Sequence, residues 1–133
     1  MAIESRVRIS DTAGIVTARQ QGRTLALELG FEGSDLTVIA TAISEVARNI
    51  LDHAKSGEVI ISRYHQGGKR GICVIACDSG PGIADIEQAM QYGYSTRNGL
   101  GIGLPGAKLL MDEFHIKSTV GLGTTITMRK WMH

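Results

Sequence analysis

No stretch of this chain stays apolar for the ~20 residues that a membrane-spanning helix requires. The opening Met1-Ala2-Ile3-Glu4-Ser5-Arg6 also has no apolar core of a secretory signal. The expectation is a soluble, cytoplasmic protein. Charge of one sign is missing as well: 14 Lys and Arg stand against 13 Asp and Glu, for a formal net charge of +1. That balance leaves no electrostatic footprint for bulk nucleic acid or an acidic membrane. Cysteine is scarce, with Cys73 and Cys77 both inside Gly71-Ile72-Cys73-Val74-Ile75-Ala76-Cys77, a run that reads as a strand. Four residues along a strand span about 13 Å, whereas a disulfide needs Cα atoms within about 7 Å. The two are therefore read as buried thiols of a reducing compartment, and they fall short of a metal-ligand set. With no repeat, low-complexity tract or linker, the 133 residues read as a single domain, 1–133, burying roughly two-thirds of the surface of the unfolded chain. The Walker pattern G-x-x-x-x-G-K-[ST] does not occur, nor do H-R-D and D-F-G.

What is present is periodic. Residues 3–10 alternate loosely, Ile3, Val7 and Ile9 against Arg6 and Arg8, and predict an edge strand. Ser10 or Asp11 can cap a helix to about Leu29, with Ile15, Ala18, Gly22, Leu25, Ala26 and Leu29 inward and Gly30 as its stop. From Leu36, apolar residues at Leu36, Ile39, Ala40, Ile43, Val46, Ala47, Ile50, Leu51 and Ala54 follow the i, i+3, i+4, i+7 rule of a helix with one buried stripe. Its N-cap is expected at Ser34, with Asp35 in the first turn, and its end near Ser56-Gly57. Strands follow over about 58–66 and 70–78, a hairpin through Gly67-Gly68-Lys69-Arg70. Then come a short helix over about 84–91, a mobile glycine-rich loop over 93–101, a helix over about 103–113, and strands near 115–120 and 124–131 turning at Gly121-Leu122-Gly123. The order β-α-α-β-β-α-α-β-β predicts an α+β two-layer sandwich, a mixed, mostly antiparallel sheet with helices on one face.

Three weak signals bear on chemistry. At about 100° per residue, Glu45 and Asn49 share the side of the second helix opposite its stripe, expected to face outward and wet. Asn is a mediocre helix former, so Asn49 in mid-helix is slightly unexpected. Asp78 closes an apolar strand and opens the bend Asp78-Ser79-Gly80-Pro81-Gly82, where the glycines leave room beside the carboxylate for a flat ring. Gly101-Ile102-Gly103-Leu104-Pro105-Gly106 fits G-x-G-x-x-G, but a polar loop precedes it where a dinucleotide site needs a strand. A helix starting near Leu104 behind a glycine hinge instead offers free N–H groups to phosphate oxygens. Alone, each signal has an ordinary reading: a wet helix face, a capped turn, a glycine-rich connection.

In fixed order they say more. The series Glu45-x-x-x-Asn49, Asp78-x-Gly80-x-Gly82, Gly99-x-Gly101-x-Gly103 and Gly123-Thr124 resembles the Bergerat-fold (GHKL) ATPases and kinases, the superfamily of gyrase, Hsp90, histidine kinases and MutL. The domain fills nearly the whole chain and no histidine-bearing dimerisation helix precedes it. The resemblance therefore points to the free-standing bacterial serine/threonine kinases of partner-switching systems. The runs Thr41-Ala42-Ile43-Ser44-Glu45-Val46-Ala47-Arg48-Asn49-Ile50, residues 99–106, and Leu110-Met111-Asp112-Glu113-Phe114 are similar to the stressosome switch kinases of that group.

By position, the resemblance implies ATP and Mg²⁺ as cofactors. Asn49 would hold the Mg²⁺, and Glu45 would act as general base or orient the incoming hydroxyl. Asp78 would accept from the adenine amino group with Thr124 nearby, Thr125 being the alternative, while Gly80 and Gly82 seat the ring. Residues 95–103 would form a short lid, Gly99, Gly101, Gly103 and the Leu104 helix start lying at the phosphates. Arg97, the lid's cation, would reach the γ-phosphate or stay solvated, and His53 is expected to serve packing. The implied acceptor is Ser or Thr on a STAS-domain protein, and the released kinase would activate a PP2C-type phosphatase. The alternatives are an anti-sigma factor kinase that sequesters a sigma factor, and a degenerate docking module.

Overall fold

The computed structural model describes residues 4–84, 86, 90 and 103–132. In chain order these form β1 (Glu4–Ile9), α1 (Thr12–Leu29), α2 (Ser34–Ala54), β2 (Gly57–Gln66), β3 (Lys69–Asp78), α3 (Gly103–Leu110), β4 (Glu113–Thr119) and β5 (Gly123–Trp131). The sheet runs β1-β2-β3-β5-β4 and is antiparallel at every pairing, with β1 at one edge. The expected helix over 84–91 lies largely outside the described residues, and the loop over 93–101 wholly so. Among the described residues no helix is long and apolar enough to cross a membrane.

Element ends follow local chemistry. The Asp11 carboxylate accepts from Gly14 N–H at 3.0 Å and starts α1. At the other end Gly30 takes φ 109°, its N–H reaching Leu27 O at 3.1 Å while Phe31 N–H reaches Ala26 O at 3.0 Å. That pair of bonds is a Schellman stop, and it satisfies carbonyls the helix would otherwise leave open. α2 departs from expectation: Gly33, at φ 63°, is its cap, Ser34 is already helical, and no side chain bonds the first turn. Gly67 and Gly68, at φ 56° and 81°, make a two-residue turn. Positive φ at both central positions matches the right-handed twist of the strands, so Lys69 and Arg70 join β3 instead of the turn. α3 ends early because Asp112 N–H donates to Arg129 O at 3.0 Å and Asp112 Oδ2 accepts from Trp131 N–H at 2.7 Å. These bonds draw the chain into the sheet two residues ahead of the expected strand start.

The core lies between the helices and one sheet face. Val7, Ile9, Val59, Ile61, Ile72, Val74, Ile126 and Met128 meet Ile15, Leu25, Ile39, Ile43, Val46 and Ile50 there, with Leu104 and Ala107 of α3 joining the same cluster. Gly22 lets α1 close on α2, since a Cβ there would run into the Ile43 side chain. The register sends Cys73, Cys77, Arg129 and Trp131 to the opposite, helix-free face. Both cysteines are free, and burial pushes their thiols above the usual range.

Candidate functional site

Glu45 and Asn49 are not wet. They are 8% and 6% exposed, because α3 packs on the flank of α2 that carries them. A buried carboxylate needs compensation, and Glu45 has it: Oε2 accepts from Gly103 N–H at 3.1 Å. Gly103, at φ 68°, is the first residue of α3, so the charge sits at the helix end where free N–H groups and the dipole favour an anion. The Asn49 carboxamide has no hydrogen-bond partner among the described residues. Nor does any group of three His, Cys, Asp or Glu side chains among them suit a metal ion. A divalent ion at Asn49 would thus need other ligands, which is what phosphate oxygens supply.

Toward its C-terminal end, α2 meets the bend after β3. Asp78 Oδ1 accepts from Gly80 N–H at 2.9 Å and from Thr124 N–H at 3.3 Å. Both bonds fall on one oxygen, and Oδ2 has no donor among the described residues. A Cβ on Gly80 would stand 2.8 Å from Ala54 Cα, and one on Gly82, at φ 79°, would stand 2.5 Å from Thr119 O. The missing side chains at these two glycines answer to close packing within the protein. Gly121 N–H donates to Pro81 O at 2.8 Å, tying the β4–β5 turn to the same bend. Ala54 lies nine residues beyond Glu45, so the bend and the α3 start flank a stretch of α2 about 14 Å long.

Register decides between the two threonines. Asp78 pairs with Thr124, whereas Thr125 pairs with Cys77 and faces the helix-free side. Only Thr124 shares the Asp78 face. Leu104, expected at the phosphates, buries its side chain in the core, so only its backbone can reach a ligand. Arg97, Gly99 and Gly101 lie outside the described residues. His53 is half-buried on the last turn of α2. Two residues escaped the sequence reading. Ser118, opposite Thr124 on β4, bonds Thr124, Gly123 and Ile83, and no motif marks it before the register is known. Arg48, one turn from Glu45, has its Nε shut off from solvent without a partner among the described residues; its only signal was its place within the 41–50 run.

The arrangement is two polar stations on one helix: a carboxylate and carboxamide beside a helix start, and a second carboxylate with an open oxygen at the helix end. The chain matches the family described as histidine kinase-like ATPase domain over residues 10–130. It is 51% identical over 129 residues to the serine/threonine-protein kinase RsbT of Bacillus subtilis (strain 168), covering 97% of each chain. It is 36% identical over 121 residues to the anti-sigma F factor of Thermoanaerobacter sp. (strain X514), covering 86% of this chain and 83% of that one. A third relative, the anti-sigma F factor of Clostridium novyi (strain NT), is 33% identical over 101 residues, 72% of this chain and 71% of the other.

Proposed function

The chain belongs to the histidine kinase-like ATPase family, and from that premise we propose that it is a serine/threonine protein kinase of a partner-switching system, taking its phosphoryl group from ATP. The observation that carries the reading is the shared flank of α2, with Glu45 and Asn49 beside the start of α3 and the Asp78 bend at the far end. A base at one station and phosphates at the other fit that spacing.

Asp78 would take the adenine amino group on Oδ2, since Oδ1 already holds two backbone N–H groups. Thr124 stands beside it. Asn49, with no hydrogen-bond partner among the described residues, would hold Mg²⁺ together with phosphate oxygens. When bound, that ion neutralises charge on the phosphates. The N–H groups opening α3, at Gly103 and Leu104, would meet a phosphate with a helix dipole behind them, and Gly99, Gly101 and Arg97 would complete the phosphate side. Glu45 already holds the Gly103 N–H. Its basicity as proton acceptor from the incoming hydroxyl rises when this N–H exchanges the carboxylate for a phosphate oxygen. Positioning and charge neutralisation then do most of the chemistry.

In its finer form the reading is a cytoplasmic stressosome switch kinase, folded as one domain over 1–133. The acceptor is Ser or Thr on a STAS-domain protein, and the released kinase activates a PP2C-type phosphatase. The relatives named anti-sigma F factor favour a second reading, a kinase that sequesters a sigma factor. The two separate on co-purification, where a sigma subunit appears in the second case alone. Radiolabelled ATP with a STAS-domain partner tests the first. Wild-type chain should label the partner on Ser or Thr, and Glu45→Gln and Asn49→Ala should not. Undiminished transfer by both variants would rule out the site.

A further inference from the structure

The sheet outruns α1, which stops at Leu29. The face that carries buried Ile61, Ile72 and Val74 under the helices carries exposed Arg63, His65 and Arg70 beyond that point. Arg63 and His65 stand two residues apart on β2, about 7 Å. His65 pairs with Arg70 across the hairpin, which starts their side chains about 5 Å apart. With Glu28, Leu29 and Met132 these residues line a hollow of about 290 Å³. Met132 N–H donates to Arg70 O at 2.8 Å, which carries the chain one residue past β5 and sets Met132 beside Arg70. Leu29 and Met132 are partly buried against the core, so one wall of the hollow is apolar. Gathering cations on one face costs repulsion, and their neighbours do not offset it. The side chains of Arg70 and His65 have no hydrogen bond, ion pair or ring contact among the described residues, and Glu28 on the rim pairs with neither. Nor do they cap α1, whose Ala26 and Leu27 carbonyls are taken by Phe31 and Gly30. Two guanidinium groups against one carboxylate leave the hollow positive even with His65 neutral.

We propose that this hollow binds the phosphate of a phosphorylated serine or threonine side chain on a partner protein. Guanidinium forks match the paired oxygens of a phosphate, and a phosphate monoester carries close to two negative charges at neutral pH, one for each arginine. The volume lies at the small end of the range for ligand pockets, the scale of one modified side chain. The apolar wall decides between an ester and a free ion. Leu29 and Met132 can cover the carbon that bears the phosphate, whereas an inorganic ion gains nothing from them. The hollow is separate from the nucleotide stations, since Arg70 lies eight residues along β3 from Asp78, roughly 26 Å. It therefore stands independently of where the base binds.

The test is an amide NMR titration of the full chain, without nucleotide, by N-acetyl-O-phosphoserine amide. The signals of Leu29, His65, Arg70 and Gly71 should move and saturate, while those of Gly80 and Gly103 stay in place. N-acetylserine amide should move none of them. N-acetylaspartate amide, with a single charge, should bind about tenfold more weakly or worse, the size of one charge-assisted bond. Inorganic phosphate should also bind more weakly than the ester. Equal affinity for the two would mean an adventitious ion only, and would overturn the proposal. Arg70→Gln should weaken the phosphoserine compound about tenfold or more. Glu28→Gln removes the rim carboxylate and should tighten it about two- to fivefold. Unmoved signals in wild type overturn the proposal, as does an Arg70→Gln variant that binds like wild type. Should Arg70→Gln fail to fold, Glu28→Gln decides, because no gain in affinity there places the phosphate elsewhere.

Discussion

Replacing Glu45 by Gln separates the capping bond this carboxylate makes from the proton acceptance proposed for it. In the structure it caps α3 through Gly103 N–H at 3.1 Å, in a site where Glu45 is 8% exposed. Gln is nearly the same size and still accepts that bond, but without charge. A charge-assisted bond is roughly twice as strong as a neutral one, and an anion at a helix start adds about 0.3–1 kcal/mol, up to about 2 when partly buried. Glu45→Gln should therefore destabilise the free protein by about 1–2 kcal/mol, lowering Tm by on the order of 5 °C. Guanidinium chloride unfolding reads the first figure and calorimetry the second. Phosphoryl transfer should fall by about 10²- to 10⁴-fold, as loss of a general base does. ATP affinity should move the other way. The neutral side chain competes less for Gly103 N–H and does not repel phosphate, so Glu45→Gln should bind ATP at least as tightly as wild type. A variant as stable as wild type would refute the capping bond. One that binds ATP distinctly more weakly would refute the exchange of carboxylate for phosphate.

Other outcomes follow from the same geometry. Gly80→Ala should cost about 1–3 kcal/mol through overpacking against Ala54. Adding Ala54→Gly should recover part of that loss, so that the double variant is destabilised by less than the sum of the two single changes, a coupling that guanidinium chloride unfolding detects. Asp78→Asn can keep both bonds now on Oδ1, but it turns one carboxylate oxygen into a donor. ATP affinity should drop by tenfold or more while Tm moves little, and a drop matched by an equal loss of Tm would argue against a direct contact. Trp131 lies opposite Gly71, seven residues along β3 from Asp78, roughly 23 Å away on the helix-free face. Its emission should report unfolding and stay unchanged on titration with ATP. A large nucleotide-dependent shift would contradict the location of the site.

The helices and strands were legible because each carries its own period: the stripe from Leu36 to Ala54, the Gly30 stop, the twin-glycine hairpin. What a helical wheel cannot tell is what covers the far side. Glu45 and Asn49 looked wet because α3 begins 58 residues after Glu45, and its arrival on that flank is a tertiary fact. The expected N-cap at Ser34 failed because Gly33 turns the chain with its backbone alone. Thr124 and Thr125 are equivalent in sequence and separate only once β5 is seen paired with β3. Ser118 needed two registers together. The crowding at Gly80 and Gly82 comes from Ala54 and Thr119, residues no local pattern connects to them.

The bonds that build the candidate site span long stretches of chain: 35 residues from Ile83 to Ser118, 46 from Asp78 to Thr124, 58 from Glu45 to Gly103. Each closes a large loop, and such closures come late because their entropy is lost before the contact rewards it. The β2–β3 hairpin can form early on its own turn, yet it carries Asp78 without Thr124. A nascent chain still lacking β5 therefore has the Asp78 carboxylate without the Thr124 N–H that it holds in the finished fold. In this topology, the candidate site is complete only once the last strand has docked.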